Sequence, residues 1–271
     1  MPDMTIYMCH GCGVQYGDAP APPPSCVVCT DDRQYVEWEG QTWTTSEELS
    51  KRHAVRVELD GDLIGIGITP RFAIPQRALL VESDAGNIMW DCISLVTPDA
   101  VADIERRGGL AMIAISHPHF YSAMVDWSDA FGGIPILIHS DDRSWVQRTS
   151  RHVTFWEGDT HQLSPTVTLY RCGGHFPGST VLHWTAAPRG RNVILAGDTV
   201  QVAQNRSHVS FIHSAPNAIP MHPDDVETIR ARLDGLAIDD IYGFTWGLNI
   251  FGNARAALDE SFDRYLAAIT R

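Results

Sequence analysis

From Val55 onward the chain alternates short apolar runs with turn-forming residues. VRVEL, LIGIGIT, RALLVES and NIMWDC, between residues 55 and 92, are separated by Asp-Gly, Pro and Gly signals, which predicts a series of short strands. Asp84-Ala85-Gly86-Asn87 reads as a hairpin turn between two of them. The texture then changes. Pro98 to Arg107 reads as a helix, followed by the apolar run LAMIAIS at 110–116. Tyr121 to Phe131 predicts another helix and IPILIH at 134–139 another strand. Further strands are expected near VTFW (153–156), TVTLY (166–170), TVLHW (180–184) and NVILAG (192–197). Val226, Ile229 and Leu233, then Leu258, Phe262, Tyr265 and Leu266, recur at helical spacing, predicting helices at 223–234 and 253–269. Strands first, then strands alternating with helices, imply two sheets packed face to face with helices outside.

The first thirty residues have a different pattern. Residues 7–29 read YMCHGCGVQYGDAPAPPPSCVVC, so Cys9-x2-Cys12 and Cys26-x2-Cys29 stand thirteen residues apart. Two tight turns carrying four thiolates can enclose one tetrahedral zinc, in the manner of a rubredoxin or zinc ribbon, and iron would fit the same donors. Gly11 and Gly13 ease the first turn, and PAPPP is a stiff connector without helix or strand. A pair of disulfides or free thiols is the plainer reading of the same cysteines. Few apolar residues surround them, so a metal is expected to hold this knuckle together. A closed four-thiolate site stabilises rather than catalyses. We therefore expect a knuckle at 1–35, a connector at 36–54 with a short helix starting at Thr45-Ser46-Glu47-Glu48, and one larger domain at 55–271.

Charge narrows the functional classes. The net charge is −13 and Lys51 is the sole lysine, so a polyanion would be repelled and nucleic-acid binding is not expected. No apolar run approaches the roughly 18 residues that span a bilayer, and the first residues, MPDMTIYMCHGCG, lack the pattern of an export signal. The expectation is a cytoplasmic protein with no membrane partner, in which paired cysteines suit metal better than structural disulfides.

Three segments end an apolar run with metal-capable residues. AMIAISHPHFYS supplies His117 and His119; in an extended chain, alternate side chains face the same way, so both imidazoles can point at one ion. YRCGGHFPGST supplies His175, and NVILAGDT supplies Asp198. Three imidazoles and a carboxylate suit zinc and can leave a position open for water or substrate. Taken singly, a strand-end histidine is more often an ordinary hydrogen-bonded side chain. The remaining histidines, from His139 to His222, read as structural or surface groups, with His183 and His213 the two whose proximity to the site matters most.

His117-Pro118-His119, Gly174-His175-Phe176-Pro177-Gly178-Ser179 and Ala196-Gly197-Asp198-Thr199 resemble the motifs of the metallo-β-lactamase superfamily over roughly residues 55–270. The resemblance implies an α/β fold, a four-layer αββα sandwich with metal at one edge of the sheets. It makes His117, His119 and His175 the ligands of the first metal, and Asp198 the carboxylate that usually bridges two. The superfamily's first motif is HxHxDH, however, and here Tyr121 and Ser122 occupy its Asp and His positions. No histidine follows His222, and the stretch where the late ligand is expected reads YGFTWGLNIFGN. The resemblance thus implies an intact first site and a missing second one, with Phe244 to Asn249 available to fill the vacated space.

The function implied is a hydrolase with a single catalytic zinc, acting on a small ester, lactone, thioester or amide through a water activated on the metal. Asp198 would ligate the metal or act as general base. Tyr121 is a candidate donor to a developing oxyanion, its alternative being a core side chain. An iron or zinc oxidoreductase of the same fold is a second reading, and a non-catalytic, metal-stapled binding protein a third. A small molecule is the expected partner. The sequence leaves the oligomeric state open, although an exposed part of the set of eight tryptophans would suit a homodimer.

Overall fold

The computed structural model describes residues 4–270; the outermost boundaries expected above, at 1 and 271, lie outside them. Strands β1 (Thr5–Cys9), β2 (Gln15–Ala19) and β3 (Trp43–Thr44) form a small antiparallel sheet in the order β2-β1-β3. Helix α1 (Ser46–Ser50) follows, its first turn capped by the Thr45 side chain, which accepts from Glu48 N. Seven strands then lie side by side in chain order: β4 (Ala54–Asp60), β5 (Leu63–Thr69), β6 (Arg77–Ser83), β7 (Gly86–Trp90), β8 (Met112–Ala114), β9 (Ile136–His139) and β10 (Val153–Trp156). The first four are antiparallel hairpin neighbours. The last four are parallel, joined through α2 (Pro98–Arg106) and α3 (Met124–Ala130).

The second sheet holds β11 (Thr160–Ser164), β12 (Val167–Arg171), β13 (Thr180–Ala187) and β14 (Arg191–Leu195). Two short ribbons interrupt it, β15 (Gln201–Val202) with β16 (Val209–Ser210) and β17 (Ile212–Ser214) with β18 (Ile219–Pro220). After α4 (Pro223–Leu233) the chain returns to the sheet as β19 (Asp240–Tyr242), parallel to β14, and β20 (Asn249–Phe251). Helix α5 (Ala254–Ile269) ends the fold.

Side-chain alternation separates three apolar layers. Leu79, Val81, Ile88, Trp90 and Ala114 of the first sheet meet Leu182, Trp184, Val193 and Leu195 of the second, forming the middle of the sandwich. Their neighbours Ala78, Leu80, Met89 and Ile113 face the other way, under Ala100 and Ile104 of α2 and Met124 and Trp127 of α3. On the far side Val181, Ile194 and Ile241 lie under α4 and α5, through Val226, Ile229, Leu258 and Phe262. Strands buried on both faces read as unbroken apolar runs, which is why β8, β9 and β14 show no polar alternation in the sequence. Of the tryptophans, Trp90, Trp127, Trp156 and Trp184 are buried in these layers. The helix expected from Tyr121 starts three residues later, because Ser122 sits in the left-handed region at φ 43°.

The knuckle leans on this domain more than its sequence implies. Cys9, Cys12, Val14, Tyr16, Cys26, Val28 and Cys29 belong to the same buried cluster as Ile66, Leu80, Met89 and Phe120. The Gln15 amide donates to Asp126 Oδ2 at 2.6 Å, and Arg148 reaches the same carboxylate at 2.5 Å. The small sheet also takes its third strand from 43–44, where Trp43 packs edge-on to Tyr16 at 4.9 Å. A metal would thus not be the sole support of the knuckle, since the rest of the chain supplies apolar surface that the knuckle lacks.

One buried ion pair ties the first hairpin to the end of the second sheet. Arg77 and Asp60 are 1 % and 7 % exposed and pair at 2.5 Å. Arg77 also donates to Gly243 O and to Asn249 Oδ1, while Asp60 accepts from Asn249 Nδ2 at 2.9 Å and from Gly247 N at 3.2 Å. Removing one partner strands a charge in the core. We expect Asp60→Ala to lower unfolding stability by about 3–5 kcal/mol in a urea titration. The paired replacement Asp60→Leu/Arg77→Met should cost clearly less. A loss under about 1 kcal/mol for Asp60→Ala would mean that the pair behaves like a surface salt bridge.

Candidate metal centre

The site forms where the two sheets meet at one edge. His117 and His119 follow β8 of the first sheet, and Asp198 follows β14 of the second. His175 lies in the loop from β12 to β13. The sheets are joined at this edge by Thr180 N donating to Ser116 O at 2.9 Å. Gly197 makes the approach possible. It holds φ +53°, and a Cβ there would lie 2.5 Å from Ser116 Oγ.

The structure brings His117, His119, His175 and Asp198 together, with one donor atom from each lying within 4.8 Å of the others. His175 Nε2 faces His119 Nδ1 at 3.2 Å, and Asp198 Oδ2 lies 3.8 Å from His117 Nε2 and 3.9 Å from His175 Nε2. The convergence has a different local cause from the extended chain expected above. His117 is extended, but Pro118–Phe120 is a turn of 3-10 helix, so the turn brings His119 round. Proline's fixed φ suits the first position of such a turn.

Hydrogen bonds turn the imidazoles. His175 Nδ1 donates to Ile212 O at 3.2 Å, since a carbonyl only accepts, and this leaves Nε2 with its lone pair toward the cluster. His117 Nδ1 bonds Ser116 Oγ at 2.8 Å, and His117 Nε2 is buried with no hydrogen-bond partner among the described residues. A buried, unpartnered nitrogen facing two more imidazoles and a carboxylate fits a cation. Burial first, then the neighbouring cationic groups, holds His117 and His119 well below the ordinary imidazole range and brings His175 down to about 3. Burial thus favours the neutral imidazoles, the form in which histidine binds a metal. Burial, then the charge of Asp91, raises Asp198 to about 7. Gln201 Nε2 donates to Asp198 Oδ1 at 3.4 Å, leaving Oδ2 toward the histidines.

The knuckle makes a second candidate metal site. All four thiols are free and buried, with Cys9 Sγ 3.5 Å from Cys29 Sγ and Cys12 Sγ 3.6 Å from Cys26 Sγ. Tetrahedral zinc with bonds of about 2.3 Å separates its sulfurs by about 3.8 Å, close to this spacing. Gln41 Nε2 donates to Cys9 Sγ at 3.2 Å, as thiolate sulfur welcomes.

Of the two roles expected for Tyr121, the geometry favours the core side chain: its ring is buried in the outer layer of the core, and its hydroxyl donates to Asp142 O at 3.3 Å. Ser122 Oγ accepts from Gln76 Nε2 at 3.0 Å. Of the two histidines singled out, His213 pairs with Asp32 at 3.2 Å beside the site loop, whereas His183 is engaged by Ala237 O at 2.9 Å. His222 caps α4 through Nδ1.

Two residues beside the site escape a reading of the sequence. Asp91 accepts from Ser116 N at 2.8 Å and is raised to about 7 by burial. Its signal was present, an acid closing the apolar run NIMW just as Asp198 closes NVILAG. Arg33, four residues past Cys29, carried no signal. Its Nε donates to His175 O at 2.5 Å, and its guanidinium lies 4.4 Å from the centre of the Phe176 ring. That ring contacts all three site imidazoles. Asn217 Nδ2 binds Asp32 O and Gln34 O, so residues 31–34 are gripped by both loops around the site.

No protein-family profile matches the chain. It is 40 % identical over 269 residues to the uncharacterized protein YmaE of Bacillus subtilis (strain 168), across 98 % of this chain and 97 % of that protein. Among solved structures, it is similar to the metallo-β-lactamase DIM-1, with a TM-score of 0.58 at 14 % identity over 80 % of this chain and 98 % of that one. A B3 metallo-β-lactamase with an active-site glutamic acid superposes at 0.52, with 14 % identity over 84 % and 97 % of the two chains. For SMB-1 bound to 2-mercaptoethanesulfonate the values are 0.51, 16 %, 80 % and 96 %. At these identities the likeness is one of fold.

Because Arg33 supports the loop and not the ion, we expect Arg33→Ala to weaken metal retention at the histidine cluster by roughly 10–100-fold while the cysteine site keeps its metal. Competition with a chromophoric chelator separates the two sites. Unchanged retention at the histidines would remove the argument for the contact.

Proposed function

The chain belongs to one family with YmaE and has the metallo-β-lactamase fold, and from that premise we propose that it is a metal-dependent hydrolase with a single catalytic zinc. The observation that carries the reading is the convergence of three neutral imidazoles and Asp198, with His117 Nε2 buried and unpartnered. His117, His119, His175 and Asp198 would hold the ion, and Cys9, Cys12, Cys26 and Cys29 a structural one. The catalytic part would then be the domain from residue 55, and the knuckle its support. A zinc ion held by the histidine cluster would act as a Lewis acid toward a carbonyl oxygen and make water a nucleophile near neutral pH.

The chain's own groups supply the rest. Gln201 donates to Asp198 Oδ1, so Oδ2 is the oxygen that would meet the ion or, were Asp198 to stand off, orient water or take its proton. Ser116 and Ile212 O keep His117 and His175 from swinging. The Phe176 ring under the imidazoles excludes water from that side. A small ester, lactone, thioester or amide is the substrate class proposed, because such carbonyls need no more than one Lewis acid and one base.

Elemental analysis tests this first. We expect about two zinc ions per chain in the wild type and about one in His117→Ala/His119→Ala. Hydrolysis of an aryl ester and a lactone should fall by at least about 100-fold in the same variant. Equal metal content in the two proteins would overturn the reading and favour a metal-stapled binding protein. Iron in place of zinc at the histidines would favour the oxidoreductase alternative.

A further inference from the structure

A second concave site lies near the histidine cluster but does not include its donors. A pocket of about 320 Å³ opens between β5, the segment that follows it at 71–76, and the late loop at Thr245 and Trp246. Phe244 packs on Phe120 at 5.6 Å, and Phe120 on His117 at 4.4 Å, so two aromatic rings lie between the pocket wall and the histidines. The volume is at the lower end of the range for small-ligand sites.

Its charge sets it apart. Arg56 and Arg71 line it and no acidic residue does, in a chain of net charge −13. Arg56 pairs by Nη1 with the exposed Glu58 at 2.7 Å, but its Nε is buried with no partner among the described residues. Arg71 Nε donates to Ala73 O at 3.3 Å, and Arg71 has no carboxylate partner among the described residues. The side chains of Thr69 and Thr245, also in the lining, make no hydrogen bond among those residues. Ile68, Phe72, Ile74 and Ile93 give the remainder an apolar wall.

The sequence builds this arrangement. Gly65 and Gly67 occupy alternate positions of LIGIGIT, on one face of β5. A Cβ at either would lie 2.6 Å from the Trp246 ring, so the two glycines form the slot in which the indole sits. Trp246 in turn carries the Arg56 guanidinium 3.9 Å from its ring centre. On the opposite wall Phe72 is held edge-on by His10 of the knuckle at 5.3 Å and by His53 at 5.7 Å. A tryptophan slot that fixes a cation with an unsatisfied donor is a built feature, not a chance groove.

We propose that this pocket binds a small organic carboxylate, its anionic head between Arg56 and Arg71 and its apolar body against Phe72, Ile74 and Trp246. Two guanidinium groups and the hydroxyls of Thr69 and Thr245 supply the charge-assisted and neutral donors such a head needs. The inference concerns binding alone and does not rest on the hydrolase reading.

Isothermal titration of the purified, metal-loaded chain in low-chloride buffer tests it. The probes are acetate, phenylacetate, 4-phenylbutyrate, the neutral phenylacetamide and inorganic phosphate. Saturable binding is expected for phenylacetate or phenylbutyrate, weaker by about tenfold or more for phenylacetamide. Arg71→Gln, at an exposed position, should weaken the carboxylates by about tenfold and leave phenylacetamide unchanged. Arg56→Gln should do the same and change Trp246 fluorescence. Binding should survive His117→Ala/His119→Ala. The proposal is overturned if neither arylalkyl carboxylate binds saturably, or if both arginine variants bind them as the wild type does. It is equally overturned if binding disappears with the histidines, which would place the ligand at the metal, or if phosphate binds as tightly as the carboxylates.

Discussion

Ser116 uses every polar group it has, and the geometry of the histidine cluster follows from how it is held. Its N–H donates to the Asp91 carboxylate at 2.8 Å, its carbonyl accepts from Thr180 N at 2.9 Å, and its hydroxyl bonds His117 Nδ1 at 2.8 Å. The first bond fixes it to the end of β7, the second joins the first sheet to the second, and the third sets the direction of an imidazole. The same hydroxyl leaves no room for a side chain at residue 197, so the glycine before Asp198 is required by the residue before His117. One residue thereby couples both sheets to two of the four converging donors.

The charges around this cluster are arranged for a cation and at a cost. Burial disfavours protonation of the three imidazoles, while burial and the charge of Asp91 raise the carboxyl of Asp198 to about 7. Without an ion these groups would be poorly satisfied, since His117 Nε2 has nothing to bond. Arg33 adds a positive charge at the rim, but Asp31 pairs with it at 2.7 Å, so its contribution is mainly the grip on His175 O and on the Phe176 face. This makes the knuckle more than a neighbour. The segment leaving Cys29 becomes part of the wall of the histidine site, and Asp32 to His213 and Asn217 to Gln34 extend the grip to a second loop.

Much of this was legible in the sequence, for definable reasons. The strands between residues 55 and 92 stood out because short apolar runs are punctuated there by Asp-Gly, Pro and Gly turn signals. The residues His117, His119, His175 and Asp198 stood out because each ends an apolar run, where α/β folds leave side chains free to converge. What escaped depends on contacts far apart in sequence. The Arg33 to His175 bond spans 142 positions, and no local pattern records it. The short strands β19 and β20 and the polar β11 carry too few residues for a period to show. The 3-10 turn at Pro118–Phe120 and the left-handed Ser122 were hidden because both HPH and YS fit a strand or a helix equally well.

The same residues bear on how many metals the fold would hold. Two of the positions where the superfamily's second set of donors is expected are Tyr121 and Ser122, and each is spent on packing. The Tyr121 hydroxyl is committed to Asp142 O and the Ser122 hydroxyl to Gln76. In the late loop, Phe244 closes on Phe120, while Trp246 turns away into the slot made by Gly65 and Gly67. The loop thus meets the site with an aromatic ring instead of an imidazole, and its tryptophan serves the neighbouring pocket. Replacing Tyr121 and Ser122 with Asp and His would therefore also break the contacts to Asp142 O and Gln76, so the two positions cannot change without repacking their surroundings.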